Sequence, residues 1–330
     1  MNSDNTDNEF APAFERLLAE CHPVRLARVA LADDGQLSAA ARQAWTELAQ
    51  GGWLDLGREE MSEAMGGELL QLGEIAGRYL LCLPFAFGAF VVKPLQDADP
   101  DAMSRVLGGS WDQRLPVAGR VDIGEMEACA PMDYFGDGIG YLRFRVLDGA
   151  VLARRLASRQ SCVQGLDAGV PVAMPVNDSA SGHAEYRLTL ATEQVKNILR
   201  AYLVFSYGQM IGAAAASLDL AIAYAKERIQ FRKRIGEFQA VKHSLANAWV
   251  GIDNARYAAR DLARSHDASA FVAKAQRLDR LAASAAKLAT RVSLQVHGAI
   301  GFAWEHDAHL YLKRVYRDAA YLSRLVNRMH

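Results

Sequence analysis

Apolar residues recur at helical spacing through the first part of the chain, in "FAPAFERLLAEC" (10–21), "LSAAARQAWTELAQGGW" (37–53) and "MSEAMGGELLQLGEIAGRYLL" (61–81). The pattern then changes. Residues 98–190 hold short β-rich runs, "RLPVAGRVDIGEM", "GIGYLRFRVLDGAVLARRL", "PVAMPVND" and "AEYRLTL", punctuated by Gly, Pro, Asn and Asp. From Thr192 onward helical periodicity returns and persists. It predicts long helices near 192–228, 238–266, 268–297 and 304–327, broken at "FRKRIG", "HD" and "GAIGFAW". This order predicts a mainly α protein with a β insert, an α+β arrangement. Its parts are an N-terminal helical domain (1–97), a reduced middle β domain (98–190) and a C-terminal four-helix bundle (191–330).

Within the first predicted bundle helix, "GQMIGAAAASLDLAIAYA" (208–225) has a run of alanines with Gly212. Small residues let helix axes approach closely, so this stretch reads as bundle core.

Composition narrows the function classes. Hydrophobic residues make up 51% and charged residues 23% of the 330, and the formal net charge is −1, so no global field recruits nucleic acid or an acidic membrane. The apolar run "YLLCLPFAFGAFVV" (79–92) is too short to span a bilayer and is interrupted by Pro84; it reads as buried core. Cys21, Cys82, Cys129 and Cys162 lack CxxC spacing and read as reduced thiols. The polar start "MNSDNTDNEF" does not read as a signal peptide, and the expectation is a soluble, cytoplasmic chain.

Two stretches carry candidate chemistry. In "YAKERIQFRKRIGEFQAVKH" (224–243) a long helix ends in a basic turn with Arg228, Arg232, Lys233 and Arg234, and a new helix opens after Gly236. Guanidinium groups beside a helix start suit a phosphate or pyrophosphate. A basic turn at a helix C-terminus is also favoured by the helix dipole alone. In "QVHGAIGFAWEHDAHLYLKR" (295–314), Gly298 and Gly301 flank a turn that precedes Glu305, His306, Asp307 and His309. That cluster could hold a metal, work as an acid–base pair, or face water.

Together these two stretches resemble the C-terminal domain of the acyl-CoA dehydrogenase family, whose forms are close to "RxQFGxPIGxFQ" and "QxHGGIGFTWEHDLHLYLKR". The resemblance is specific over about 192–316 and rests on element order alone over 1–191. It implies a flavoenzyme fold, FAD as hydride acceptor and oxidation of the Cα–Cβ bond of an acyl-CoA thioester. It assigns Arg228, Gln230, Phe231 and Gln239 to the FAD pyrophosphate and adenosine of a neighbouring subunit. It assigns Gln295, Val296, His297, Gly298 and Ala299 to a Gly-rich turn that lets backbone approach the cofactor. The "WEHDAHLYLKR" segment takes a structural role in the resemblance, and no metal is implied.

The departures are as informative. The family's glycine after Phe is Arg232 here, its proline is Arg234, and the second glycine of its Gly-Gly pair is Ala299. The two positions from which the family delivers its catalytic glutamate hold Leu322 and Tyr202, neither of which is acidic. Of the other carboxylates in the helical domain (Glu193, Asp219, Glu227, Asp253, Glu305 and Asp318), Asp318 is nearest to an expected position, and no base is assigned. Residues 98–190 lack the "TEPxxGSD"-like and "WIT"-like stretches that hold the flavin ring. The chain therefore resembles the short, non-catalytic subunits of bacterial heteromeric acyl-CoA dehydrogenases of steroid and sterol catabolism. That implies a larger partner subunit in a heterotetramer, with the glutamate on the partner. A self-sufficient homomeric enzyme and a flavin-free assembly protein of the same fold are the alternatives.

Overall fold

The computed structural model describes residues 10–29, 38–58, 62–113, 116–124, 132–133, 141–147, 150–156, 162–163, 165–167, 170, 172–173, 185–265 and 268–329. The first helices are α1 (Phe10–Cys21), α2 (Leu26–Val29), α3 (Ala39–Gln50) and α4 (Glu63–Arg78). After them come α5 (Phe85–Phe87), a π-helical turn Gly88–Val92, α6 (Lys93–Ala98) and α7 (Pro100–Leu107). The long strands are β1 (Ala118–Ile123), β3 (Tyr141–Leu147), β4 (Ala150–Leu156) and β7 (Glu185–Leu188), with the two-residue strands β2 (Met132–Asp133), β5 (Cys162–Val163) and β6 (Val172–Ala173) between them. The helical pattern resumes with α8 (Thr192–Glu227), a small hairpin of β8 (Ile229–Gln230) and β9 (Lys233–Arg234), then α9 (Gln239–Ala263), α10 (Ala268–His297) and α11 (Ala308–Val326). The mainly α architecture with a β insert is as the sequence predicts, and each of the four long helices falls within a few residues of its expected span. The starts of α3 and α4 are set locally: Ser38 and Ser62 accept N–H bonds from Ala41 and Met65 through their hydroxyl oxygens. Most of the expected "PVAMPVND" run lies outside the described residues.

The chain divides into two compact units, each discontinuous in sequence. One comprises residues 25–61, 82–203 and 324–330. Its sheet has the strand order β1-β3-β4-β7, with β1 and β3 parallel and the other pairs antiparallel. Alternation sends Val121, Leu142, Phe144, Val151 and Ala153 to one face, where the Phe144 ring meets Phe87 at 5.7 Å. The opposite face is unusual. Arg120 and Arg143 are buried and both donate from Nε to the buried Asp122 carboxylate, at 2.7 and 2.6 Å. The run 85–92 forms core as expected, with Phe85 and Phe90 fully buried.

The other unit comprises residues 1–24, 62–81 and 204–323 and contains the bundle. α8 is 36 residues long and has no polar stripe through this unit, because neighbours cover it all round. α4 lies directly against it, and the approach depends on glycine. A Cβ on Gly73 would sit 2.4 Å from Phe205 O, on Gly77 1.9 Å from Gln209 O, on Gly208 2.7 Å from Leu70 O, and on Gly212 2.0 Å from Glu74 O. α9 closes on α4 through a bidentate ion pair, Arg256 to Glu74 at 2.8–3.1 Å. On the other side, Asp279 of α10 is buried and accepts from Tyr207 Oη (2.9 Å) and Ser323 Oγ (2.7 Å), which ties α8, α10 and α11 together. Burial beside that carboxylate raises the Tyr207 phenol well above its ordinary pKa, which keeps it a proton donor.

The "HLYLKR" motif takes a role in this unit that periodicity alone does not reveal. Tyr311 Oη donates to Arg78 O at 2.7 Å, and the buried Arg314 donates to Leu81 O and Leu80 O at 2.8 and 3.3 Å. These side chains serve the Arg78 carbonyl at the C-terminal end of α4 and the carbonyls of the turn that follows it. Nearby His22 is fully buried, and burial, with Arg314 close by, lowers its pKa to about 4. The unfolded value is near 6.5, so the unfolded state binds the proton more tightly. The stability His22 contributes is complete above about pH 6.5 and is lost as pH falls towards 4, by roughly 3 kcal/mol in all. Urea titrations between pH 7 and pH 4 are expected to show that slope, and His22→Gln to flatten it.

Candidate functional site

The residues singled out by sequence gather at one end of the bundle, where α8 and α10 finish. α8 stops at Glu227; the Arg228 N–H still donates to Tyr224 O at 2.9 Å, and Arg228 O accepts from Ile235 N–H at 2.8 Å. The chain between them turns back as the β8–β9 hairpin, with Ile229 opposite Arg234 and Gln230 opposite Lys233. Gly236 then passes so close to α8 that a Cβ would lie 2.8 Å from Ala225 O. Phe238 precedes α9 and receives the Lys233 ammonium over its ring at 4.1 Å and the Phe231 ring edge-on at 6.2 Å. Gln239 is the first residue of α9 and is exposed.

The hairpin turn is strained. A two-residue loop of the type I′ kind requires positive φ at both central positions, which favours Asn-Gly. Here the pair is Phe231 at φ 52° and Arg232 at φ 65°. Each such non-glycine residue costs on the order of 1–3 kcal/mol. Burial does not offset that cost, since Phe231 is 87% exposed and Arg232 is exposed too.

α10 ends at His297, and Gly298 follows at φ 64° with nothing near the position of a Cβ. That is a left-handed helix cap, and glycine adopts it without strain. Gly301 has a different cause: a Cβ there would press on His297 Cβ at 3.0 Å and on Leu294 Cδ2 at 3.1 Å. Gln295, Gly298 and Ala299 are exposed, Val296 is half-buried and His297 is buried. The buried imidazole joins the two segments of the site. Its ring packs on Tyr224 of α8 at 4.9 Å and on His306 at 4.4 Å, and its Nδ1 lies 2.7 Å from Ser293 O. Burial, and then the second imidazole alongside, lower its pKa. His297 thus faces into the bundle and positions the turn around it.

The charged cluster after the turn is used locally. His306 Nδ1 accepts from Ala308 N–H at 3.1 Å, and Asp307 O accepts from Leu310 N–H at 2.9 Å, which opens α11. His309 stacks on Trp304 at 5.6 Å. Among the described residues, no three metal-ligating side chains come together.

The two expected base positions are filled by packing. Leu322 is 1% exposed and Tyr202 is 6% exposed. Asp318 receives Arg317 Nη1 at 3.0 Å, and Asp219 pairs with Arg78 at 3.1 Å. Sequence reasoning passed over Asp279, the buried carboxylate of α10. The signal was available in its i+4 spacing from the core residue Ala275, which puts an acidic side chain in an apolar stripe. Also unread was the Tyr224–His297–His306 stack, because its members come from three segments.

Three exposed arginines (Arg228, Arg232 and Arg234), an exposed aromatic ring and a glycine turn at a helix end define a surface suited to the phosphates and adenosine of a dinucleotide. Comparison with known proteins gives the class of the segment that carries it. Residues 204–324 match the model of the acyl-CoA dehydrogenase C-terminal domain and form such a domain. Acyl-CoA dehydrogenase IpdE2 of Mycolicibacterium smegmatis is 40% identical over 115 residues, covering 34% of this chain and 35% of the relative. Acyl-CoA dehydrogenase FadE34 of Mycobacterium tuberculosis is 31% identical over 264 residues, covering 77% and 36%. The matches thus span about a third of the length of these curated relatives. The fold is that of the ChsE4–ChsE5 complex from Mycobacterium tuberculosis (TM-score 0.70, 17% identity, 99% of this chain and 96% of that one). It is also that of the Tcur3481–Tcur3483 steroid ACAD (TM-score 0.69, 16% identity, 97% and 94%).

Proposed function

We propose that this chain is one subunit of a heteromeric, FAD-dependent acyl-CoA dehydrogenase of steroid or sterol catabolism. It lends part of the FAD site, and a larger partner subunit, in a cytoplasmic heterotetramer, supplies the catalytic glutamate and most of the ring-binding half. The observation that carries this reading is the filling of both base positions by buried Leu322 and Tyr202. The reaction needs a carboxylate at the substrate α-carbon while the flavin accepts the β-hydride. The two solved heteromers with the same fold support the subunit reading, and the steroid ACAD among them supports the substrate class. We keep 1–97, 98–190 and 191–330 as the functional divisions of the chain.

The residues at the bundle end fit the pyrophosphate and adenosine of FAD. Arg228, Gln230 and Gln239 are exposed, and among the described residues the Arg228 guanidinium enters no ion pair. Phe231 offers an exposed ring, and Ile229, Phe302 and Trp304 add 61%, 69% and 51% exposed apolar side chains that a neighbouring subunit would cover. Gly298 and Ala299 present backbone at the end of α10.

The purified chain alone is expected to be colourless, and the chain co-purified with its partner yellow, as read by flavin absorbance. Full flavin occupancy and turnover by the isolated chain would sink the heteromer reading. In the complex, Arg228→Ala is expected to weaken FAD binding by about 1.5–3 kcal/mol, the contribution of a charge-assisted contact to phosphate.

A further inference from the structure

We infer that Arg232 is a phosphate-contacting residue, working beside Arg228 on the pyrophosphate of the bound dinucleotide; this rests on the reading just proposed. Three observations meet at this residue. Its backbone is held at φ 65°, in a turn position where glycine would sit without strain. Its side chain is exposed, and among the described residues its guanidinium makes no ion pair or hydrogen bond. The position next to it holds Phe231, also at positive φ and 87% exposed. A strained backbone that secures neither burial nor a partner within the chain points to a partner outside it.

The hairpin geometry selects the class of that partner. Gln230 and Lys233 are paired across the ladder, and alternation puts Arg228 on the same face as Gln230. Arg232 stands in the turn two residues beyond Gln230, so about 10 Å of strand, at roughly 3.4 Å per residue, separates it from Arg228. Two long guanidinium side chains reaching from the two ends of that span can close on the two phosphoryl groups of one pyrophosphate. Among the described residues Glu237 pairs with neither guanidinium; its carboxylate accepts from Arg234 N–H at 3.4 Å.

The test uses the full-length chain, alone and in its flavin-free complex, with FAD as the titrant. Arg232→Gly in the isolated chain is expected to raise Tm by about 2 °C as the turn relaxes. In the complex the same variant, and Arg232→Asn, which tolerates positive φ but carries no charge, are expected to weaken FAD binding by about tenfold. Arg232→Lys is expected to retain most of the affinity. Unchanged FAD affinity in both the Gly and the Asn variant would overturn the inference while leaving the proposed function intact. Looser association of the flavin-free subunits in those variants, measured by sedimentation, would assign Arg232 to a partner carboxylate and overturn it as well. A wild-type complex that does not bind FAD would overturn both readings.

Discussion

In the proposed heteromeric complex, Asp318→Asn is expected to leave turnover nearly unchanged, while replacing the glutamate proposed for the partner by glutamine is expected to lower it by about 10²–10⁴-fold, the usual contribution of a general base. The local geometry supports this asymmetry. Leu322 and Tyr202 stand where the family delivers a carboxylate, both are buried, and neither accepts a proton from carbon. Asp318 precedes Leu322 by four residues on α11, about 6 Å along the axis at 1.5 Å per residue. A misplacement of 1 Å can already cost about a hundredfold. Its carboxylate is also engaged by Arg317 at 3.0 Å. Asp279, which is buried in the bundle, accepts from Tyr207 and Ser323 through one oxygen. Asp279→Asn should therefore lower stability more than it lowers turnover per folded complex. Stopped-flow flavin reduction by the acyl-CoA substrate separates the cases. Loss of reduction in Asp318→Asn, with complex and flavin intact, would make Asp318 the base.

Gly212→Ala and Gly77→Ala are each expected to destabilise the chain by about 3 kcal/mol or more, near the top of the range for overpacked cores. Alanine ordinarily favours a helix over glycine by about 1 kcal/mol, so packing must reverse the sign. It does so because the new Cβ atoms would lie 2.0 Å from Glu74 O and 1.9 Å from Gln209 O. Backbone carbonyls have no rotamer to change, so relief requires α4 and α8 to separate, which also loosens the close approach of Gly73 to Gly208. Gly67, on the same helix α4, is the control. It is exposed with nothing near its Cβ position, so Gly67→Ala should stabilise by about 0.5–1 kcal/mol. Urea denaturation of the three variants checks both signs. Equal behaviour at Gly67 and Gly212 would mean that the helices do not meet as closely as described.

The residues proposed for FAD divide according to how local their causes are. Arg228, Gln230, Phe231 and Gln239 sit on one hairpin and one helix start, so a contiguous string of sequence brings them together. Gly298 ends α10 in a left-handed cap, which the glycine after a helical run already signals. Of the nine residues proposed for the cofactor, His297 differs in the structure by facing inward, because its ring is taken up by Tyr224, His306 and Ser293.

The sequence by itself determined the helices, their order, the β insert and the basic hairpin, because periodicity and turn chemistry act over a few residues. The small residues of 208–225 also announced a close helix contact. Tertiary structure decided which helix they contact, since Gly212 meets Glu74 on α4, far earlier in the chain. It decided that Arg314 and Tyr311 seal the end of α4, more than 230 residues upstream. It decided that Asp279 is buried with two hydroxyl donors while Asp318 pairs with its neighbour. It also decided that Phe231 and Arg232 hold a backbone that glycine would adopt freely. In each case the partner is set by the path of the chain through space, and hydrogen-bond donors, carbonyls and steric limits separated by tens to hundreds of residues leave no periodic trace in the sequence.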